Sequence, residues 1–315
     1  MGKDSMSEIN GLTIAICTRN RFNDLKRCVS SIARQNLVWD FPIELIIVDD
    51  GELLDKEINE LKSILKKNIN FVYYKKYNPG LFLSRIEVTS LANYNIILFL
   101  DDDVELFDIN YLNKLLKTYM DYPECVGVGG IDGSMKISKR WSLYTRLICF
   151  NSGKPGKLSL SGYTGSMTTW LSMKDCFYTE FFHGCNMSFK SKSIKNIPLV
   201  EWLKSYSLGE DVFLSYIASK SGKLIINPKL IVNHFHSAAS RDKASKVAYT
   251  EIVNHWHLLK FKDAKGIQYL CHFWTATGLL FISIFKHPYK TKGYLKGIFF
   301  ILKQLIKFKF KIPKT

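Results

Sequence analysis

The chain is poor in the signatures that most often announce a function. No Gly-x-Gly-x-x-Gly follows its first strand pattern; Cys17-Thr18-Arg19-Asn20-Arg21 stands there instead, which argues against an NAD-type site. No Walker A sequence occurs either. The seven cysteines are odd in number, scattered, and form no Cys-x-x-Cys pair. That speaks against a disulfide framework and a zinc site, and suits a reducing cytosol. Residues 1–11 are polar and lack an apolar run, so they read as a disordered N-terminus without a signal peptide. Repeats and low-complexity linkers are missing. Acidic residues are scarce at the other end: residues 259–315 hold twelve Lys and one acid, Asp263.

What is present bounds the answer. At 315 residues and 47% apolar content the chain can build one large domain, or one domain with an appendage. Lys and Arg outnumber Asp and Glu by 44 to 28, a net charge of +16. Such a charge suits nucleic acid, an anionic membrane or a phosphorylated ligand. The lysines of the tail are interleaved with aromatic and aliphatic residues, as in a segment lying on a membrane surface; a solvated basic face on packed helices is the plainer alternative. Residues 266–285 carry no Lys, Arg, Asp or Glu and are long enough to span a bilayer. Gln268, His272 and several hydroxyls favour a helix lying in the interface over a true span.

The first 130 residues alternate strand and helix patterns. Strands are expected at 12–17, 43–48, 71–74, 94–100 and 125–129, with helices between them, including 81–91 after Asn78-Pro79-Gly80 and 111–120. This rhythm means a doubly wound α/β sheet. Residues 131–180 lose it and read as loops and short strands. A strand over 181–189, a helix over 211–221, strands at 224–226 and 230–232, and helices from 243 onward complete the pattern.

The most informative run is Asp101-Asp102-Asp103, directly after the apolar strand. Ligands of open α/β sheets bind beyond the carboxyl ends of strands. Adjacent carboxylates repel unless a cation joins them, and a divalent ion with oxygen ligands is the simplest partner. The bland reading is an acidic turn, with Asp108 capping the next helix. An EF-hand fails, because Leu106 and Leu112 stand where Gly and Glu are needed. Asp101-Asp102-Asp103-Val104 also superficially fits a haloacid dehalogenase-like phosphatase, although that motif belongs on a first strand. Thr18 and Asn20 either cap a helix or meet a nucleotide, and Arg19 or Arg21 can meet a phosphate. Asp49-Asp50, ending the second strand, suits a base or ribose, or a tight turn before Gly51. Glu210-Asp211 opens a helix, where acids are favoured anyway, or supplies a general base. His234 and His236 face the same way on a strand, and one of them can complete a metal site.

Taken in order over residues 12–240, these motifs resemble glycosyltransferase family 2. Leu12 to Arg21 is similar to its opening strand and Thr-x-Asn-Arg loop, and Val48-Asp49-Asp50-Gly51 to its second-strand motif. Asn78-Pro79-Gly80 with Ser84-Arg85 resembles Asn-x-Gly…Ala-Arg-Asn, with Ser for Ala and Ile86 for Asn. Asp101-Asp102-Asp103 matches Asp-x-Asp, Gly184-Cys185-Asn186-Met187 the Gly-x-Asn-Met strand, and Gly209-Glu210-Asp211 the Glu-Asp motif. The resemblance implies a GT-A Rossmann-like mixed sheet flanked by helices, with a C-terminal helical membrane-associating appendage. Residues 12–242 would be catalytic, with 12–130 binding the donor and 131–242 the acceptor; 243–315 would be the appendage. It implies Mn²⁺ or Mg²⁺ on Asp103, Asp101 and His234. Thr18, Arg19, Asn20, Asp49, Asp50, Gly80, Arg85, Asp101 and Asp102 would meet the nucleotide. Asp211, with Glu210, would act as catalytic base, and Gly184 and Asn186 would lie on the acceptor side. The implied reaction is inverting transfer from a nucleoside-diphosphate sugar, UDP favoured, to a glycan or lipid-linked acceptor in cell-surface polysaccharide or glycolipid synthesis. It would take place at the cytoplasmic face of the cell membrane, with the protein peripheral or monotopic. A basic nucleic-acid-binding protein is the competing class, but acidic clusters at strand ends suit it poorly and no nucleic acid is expected.

Overall fold

The computed structural model describes residues 9–37, 41–136, 138–204, 207–235 and 244–309. The chain divides into two compact units: Met1–Lys136 with Thr169–Ser237, and Ile137–Thr168 with Ala238–Thr315. The second unit takes 137–168 away from the part expected to run over 131–242. Residues 9–11, expected to be disordered, are tied down: Ile9 is buried and Asn10 N–H donates to Asn95 Oδ1 at 3.1 Å. Residues 1–8 lie outside the described residues.

The first unit is built from β1 (Leu12–Thr18), α1 (Phe22–Ala33), β2 (Ile43–Asp49), α2 (Asp55–Ile64), β3 (Ile69–Lys75), α3 (Leu81–Leu91) and β4 (Ile96–Asp101). It continues through β5 (Val104–Leu106), α4 (Tyr111–Asp121) and β6 (Cys125–Asp132). After α5 (Lys139–Leu147), which belongs to the second unit, come β7 (Phe177–Thr179), β8 (Asn186–Lys190), α6 (Glu210–Ser219) and β9 (Lys223–His234). β1, β2 and β4 are buried almost throughout, which is why they read as unbroken apolar runs.

The sheet runs β3-β2-β1-β4-β8-β6-β9-β5, with β7 against β9. β3, β2, β1 and β4 are parallel. β8 enters antiparallel between β4 and β6, so the sheet is mixed. Its register sets the site. Thr18 pairs with Asp49, and Cys17 with Asp101, so β1, β2 and β4 end at one edge. The strand expected over 181–189 is confined to β8. The strands expected at 224–226 and 230–232 are one strand, β9, shifted in register against β6 by an irregularity.

The second unit is helical: α5, α7 (Ala244–Phe261), α8 (Gly266–Lys286) and α9 (Pro288–Lys309). α5 falls where the sequence suggested loops. Ile148, Tyr163, Ile252, Trp256, Ala276 and Ile301 share its core. Tyr144 donates to the Gly278 carbonyl at 2.6 Å, and Thr275 to that of Ile148. α7 and α9 approach so closely at Gly293 that a Cβ there would lie 2.0 Å from the Ser245 carbonyl oxygen. α8 is long and apolar enough to cross a membrane, and about a quarter of it is buried against the rest of its unit.

Candidate functional site

The site grows from the carboxyl end of β4, where the chain turns through Asp101-Asp102-Asp103 into β5. Asp102 and Asp103 are buried, while Asp101 is half-buried. Asp102 takes hydrogen bonds from Thr18 Oγ1 at 2.8 Å and Arg21 Nη1 at 3.0 Å. Burial pushes its carboxyl up to about 6, against the pull of Arg21 and Thr18. Thr18 is therefore not a helix cap. Asn20 is not one either: its Oδ1 accepts the Glu52 N–H at 2.9 Å. Arg21 lies 3.6 Å from Asp103 as well, and Arg19 is exposed.

Arg85, on α3, is enclosed beside this turn. One guanidinium nitrogen reaches Asp101 at 2.9 Å and the Gly184 carbonyl at 2.8 Å, and the other bonds Glu210 at the start of α6. Burial opposes its charge, but Glu210 and Asp101 raise its affinity for the proton. Burial pushes Glu210 up from the ordinary glutamate range, with Arg85 pulling the other way. The neighbouring Asp211 is fixed by two backbone donors: Gly184 N–H at 3.1 Å and Val212 N–H at 2.8 Å.

His234, the last residue of β9, comes in from the far side. Its Nε2 is 3.0 Å from Asp103, and its Nδ1 is 3.4 Å from Asp132 at the end of β6. Burial works against a charged ring, but Asp103 and Asp132 outweigh it and raise His234 to about 12. Asp132 is held at about 2: burial opposes its charge, while bonds from His234 and Ser134 favour it. A carboxylate behind a ligating imidazole fixes the ring's orientation, and Asp132 stands in that position. Sequence reasoning ended this strand at Gly129 and so missed it, though an acid at a strand's carboxyl end was the available signal. His236 lies outside the described residues.

The remaining expected residues divide. Asp50 accepts the Gly80 N–H at 2.8 Å, near the buried Lys76. Gly80 has φ +136°, and a Cβ there would lie 2.8 Å from the Lys204 carbonyl oxygen, so glycine is required. Asp49 is fully buried and bonds Gly51 N–H, Leu53 N–H and Tyr73 Oη at 2.7–3.0 Å; it shapes the turn. Asn186 is also interior. It accepts from Tyr111 and donates to the Leu230 carbonyl, stapling β8 to α4 and β9. Gly184 stays at the site, between Arg85 and Asp211.

Ligand atoms of Asp101, Asp103 and His234 lie within 4.8 Å of one another. Two carboxylates and an imidazole suit a hard divalent cation.

The model of the glycosyl transferase family 2 matches residues 13–194. Chondroitin synthase of Escherichia coli is 34% identical over 215 residues, covering 56% of this chain and 30% of that protein. The chain thus spans less than a third of that relative's length. A mannosyltransferase of Pyrobaculum calidifontis, solved with GDP-Man and Mn²⁺, superposes with TM-score 0.58 at 14% identity, covering 94% of this chain and 87% of that one. GalNAc-T7, solved with UDP, GalNAc and Mn²⁺, gives TM-score 0.58 at 14% identity, over 95% and 57%. At such identities the two structures speak for the fold, and the family match speaks for the chemistry in place of a phosphatase. The chain belongs to glycosyl transferase family 2 and is a glycosyltransferase of the GT-A fold.

Proposed function

We propose that this enzyme is a metal-dependent inverting glycosyltransferase that moves a sugar from a nucleoside-diphosphate sugar to a hydroxyl of a glycan or lipid-linked acceptor. The observation that carries the proposal is the meeting of Asp101, Asp103 and His234 at the sheet edge, joined through Arg85 to Glu210-Asp211. When bound, Mn²⁺ or Mg²⁺ on Asp103, Asp101 and His234 would neutralise the charge of the departing diphosphate.

In this reading Asp211 takes the proton of the acceptor hydroxyl. The acceptor oxygen then bonds the anomeric carbon as the bond to the diphosphate oxygen breaks, and the electron pair leaves with the nucleotide. A single displacement inverts configuration. Thr18, Asn20 and Asp50 face the nucleotide, with Arg19 toward a phosphate. Arg85 acts as a positioning residue between Asp101 and Glu210. Neighbours of this fold hold UDP or a GDP-sugar; UDP is favoured, and a relative named chondroitin synthase favours a glycan acceptor.

The helical unit supports an anionic membrane surface as partner, at the cytoplasmic face. Trp274, Phe281, Phe285 and Phe299 are exposed in a segment rich in lysine, a pattern suited to interfacial binding.

Calorimetric titration of UDP, with Mn²⁺ and then with EDTA, tests the proposal. Metal-dependent binding is expected. Silence with UDP, GDP and dTDP alike would sink it.

A further inference from the structure

The loop before β8 brings a second set of metal-ligating atoms to His234. His183 and Cys185 lie two residues apart, and Cys185 Sγ is 3.2 Å from His183 Nδ1. The His183 and His234 rings are 6.0 Å apart between centroids. One ligand atom from each of His183, Cys185 and His234 falls within 4.8 Å of the others. Around a tetrahedral zinc ion, ligand atoms are separated by roughly 3.3–3.6 Å, from Zn–N of about 2.0–2.1 Å and Zn–S of about 2.3 Å. Cys185 and His183 are already that close, and the remaining separations, at most 4.8 Å, must close by up to roughly 1.2–1.5 Å on an ion.

We infer that His183, Cys185 and His234 form a second cation site, of the zinc type, which competes with the Asp101–Asp103–His234 set for the shared histidine. The donor chemistry separates the two. A thiolate with two imidazoles selects soft or borderline ions such as Zn²⁺, whereas carboxylates suit Mn²⁺ and Mg²⁺. Nδ1 of His234 lies toward Asp132 and Nε2 toward Asp103; in this assignment Nε2 is the donor to either ion, and one nitrogen holds one ion. The bound zinc ion takes Cys185 as thiolate and His183 and His234 as neutral rings, and the displaced protons pass to water. Zinc then draws His234 away from Asp103, and the chain becomes a zinc-inhibited enzyme. Zinc binding itself does not depend on the proposed glycosyl transfer; only the competition rests on that reading's metal.

The test uses the full chain with Co²⁺ as a spectroscopic probe for zinc. Wild type should show the near-ultraviolet thiolate-to-cobalt charge-transfer band with intense tetrahedral visible bands. Cys185→Ser should lose the charge-transfer band, and His183→Gln, a second variant in case the first fails to fold, should weaken it. Bound cobalt without a thiolate band in wild type overturns the site. For the competition, Mn²⁺ is bound in the presence of UDP and its release by Zn²⁺ is followed by electron paramagnetic resonance. An outer-shell partner alone is worth about 10–100-fold in metal affinity. Loss of the thiolate should therefore raise the zinc needed for half-release by at least about ten-fold. Zinc and manganese held together overturn the competition. If no Mn²⁺ binds before zinc is added, the proposed transfer metal fails, and the cobalt spectrum alone decides the zinc site.

Discussion

Arg85 and Glu210 are 125 residues apart in the chain and form a buried ion pair, with the guanidinium extended to Asp101 on a third element. This pair joins the acidic turn after β4 to the start of α6. A buried pair need not add net stability, but breaking one leaves an uncompensated charge. Arg85→Met should cost about 3–5 kcal/mol, read by urea unfolding. Arg85→Lys keeps the charge without the fork. It should fold better than the methionine variant yet lose turnover, and wild-type turnover would remove Arg85 from its positioning role.

Asp211→Asn should leave UDP affinity and unfolding midpoint near wild type and lower kcat by about 10²–10⁴-fold, the range for a positioned general base. Nuclear magnetic resonance of the first-formed product should show the opposite anomeric configuration from the donor. Near-normal transfer by the variant, or retention, would rule out the proposed displacement.

Asp132→Asn tests the support behind His234. The ring loses its anionic partner while the ligand set stays intact, so Mn²⁺ affinity should fall by about 10–100-fold. Calorimetry of Mn²⁺ in the presence of UDP reads it directly; an unchanged affinity would separate His234 from the metal.

The helical unit carries a pH prediction. His255 stacks on Tyr163 at 3.8 Å, and burial lowers its pKa to about 4, with the Glu251 carbonyl opposing. In the unfolded chain it titrates near its ordinary value of about 6.5. The unfolded state therefore binds more protons between these values, and stability falls as pH drops through that window. Thermal unfolding midpoints should decline from pH 7 to pH 4. His255→Gln should flatten the part of the decline owed to this ring, and an identical slope in the variant would place the sensitivity elsewhere.

Membrane association predicts that the full chain co-floats with phosphatidylserine vesicles and is released by salt, since each juxtamembrane lysine contributes about 1 kcal/mol and the attraction decays within a Debye length. Phe281→Asp with Phe285→Asp should weaken flotation at any salt. Indifference to anionic vesicles would leave the exposed apolar side chains of α8 unexplained.

Much of this molecule was legible before any coordinates. The βα rhythm placed β1 to β4 within two residues at each end, because apolar period and turn chemistry are local properties. The runs at 49–50, 101–103 and 210–211 stood out because acids concentrate at the ends of apolar elements. Asp49 and Asn186 read as ligand contacts; the structure gives both a set of bonds inside the fold that spacing along the chain does not show. α5 was missed because it is only nine residues long and is followed by a Gly- and Ser-rich stretch, which reads as loop.

The sequence by itself determined the sheet class, the family and the acids at strand ends, since these rest on spacing along the chain. Only the tertiary structure decided the partners: Arg85 with Glu210, His234 with Asp103 and Asp132, and Cys185 with His183 beside the same histidine. The cysteines argued against zinc in one dimension because no two of them share a metal-binding spacing. β8 and β9 pack residues 183–185 against residue 234, so the donor set exists only after folding. Side-chain chemistry acts over about 3 Å, and only the register of the sheet brings residues so far apart in sequence within that reach.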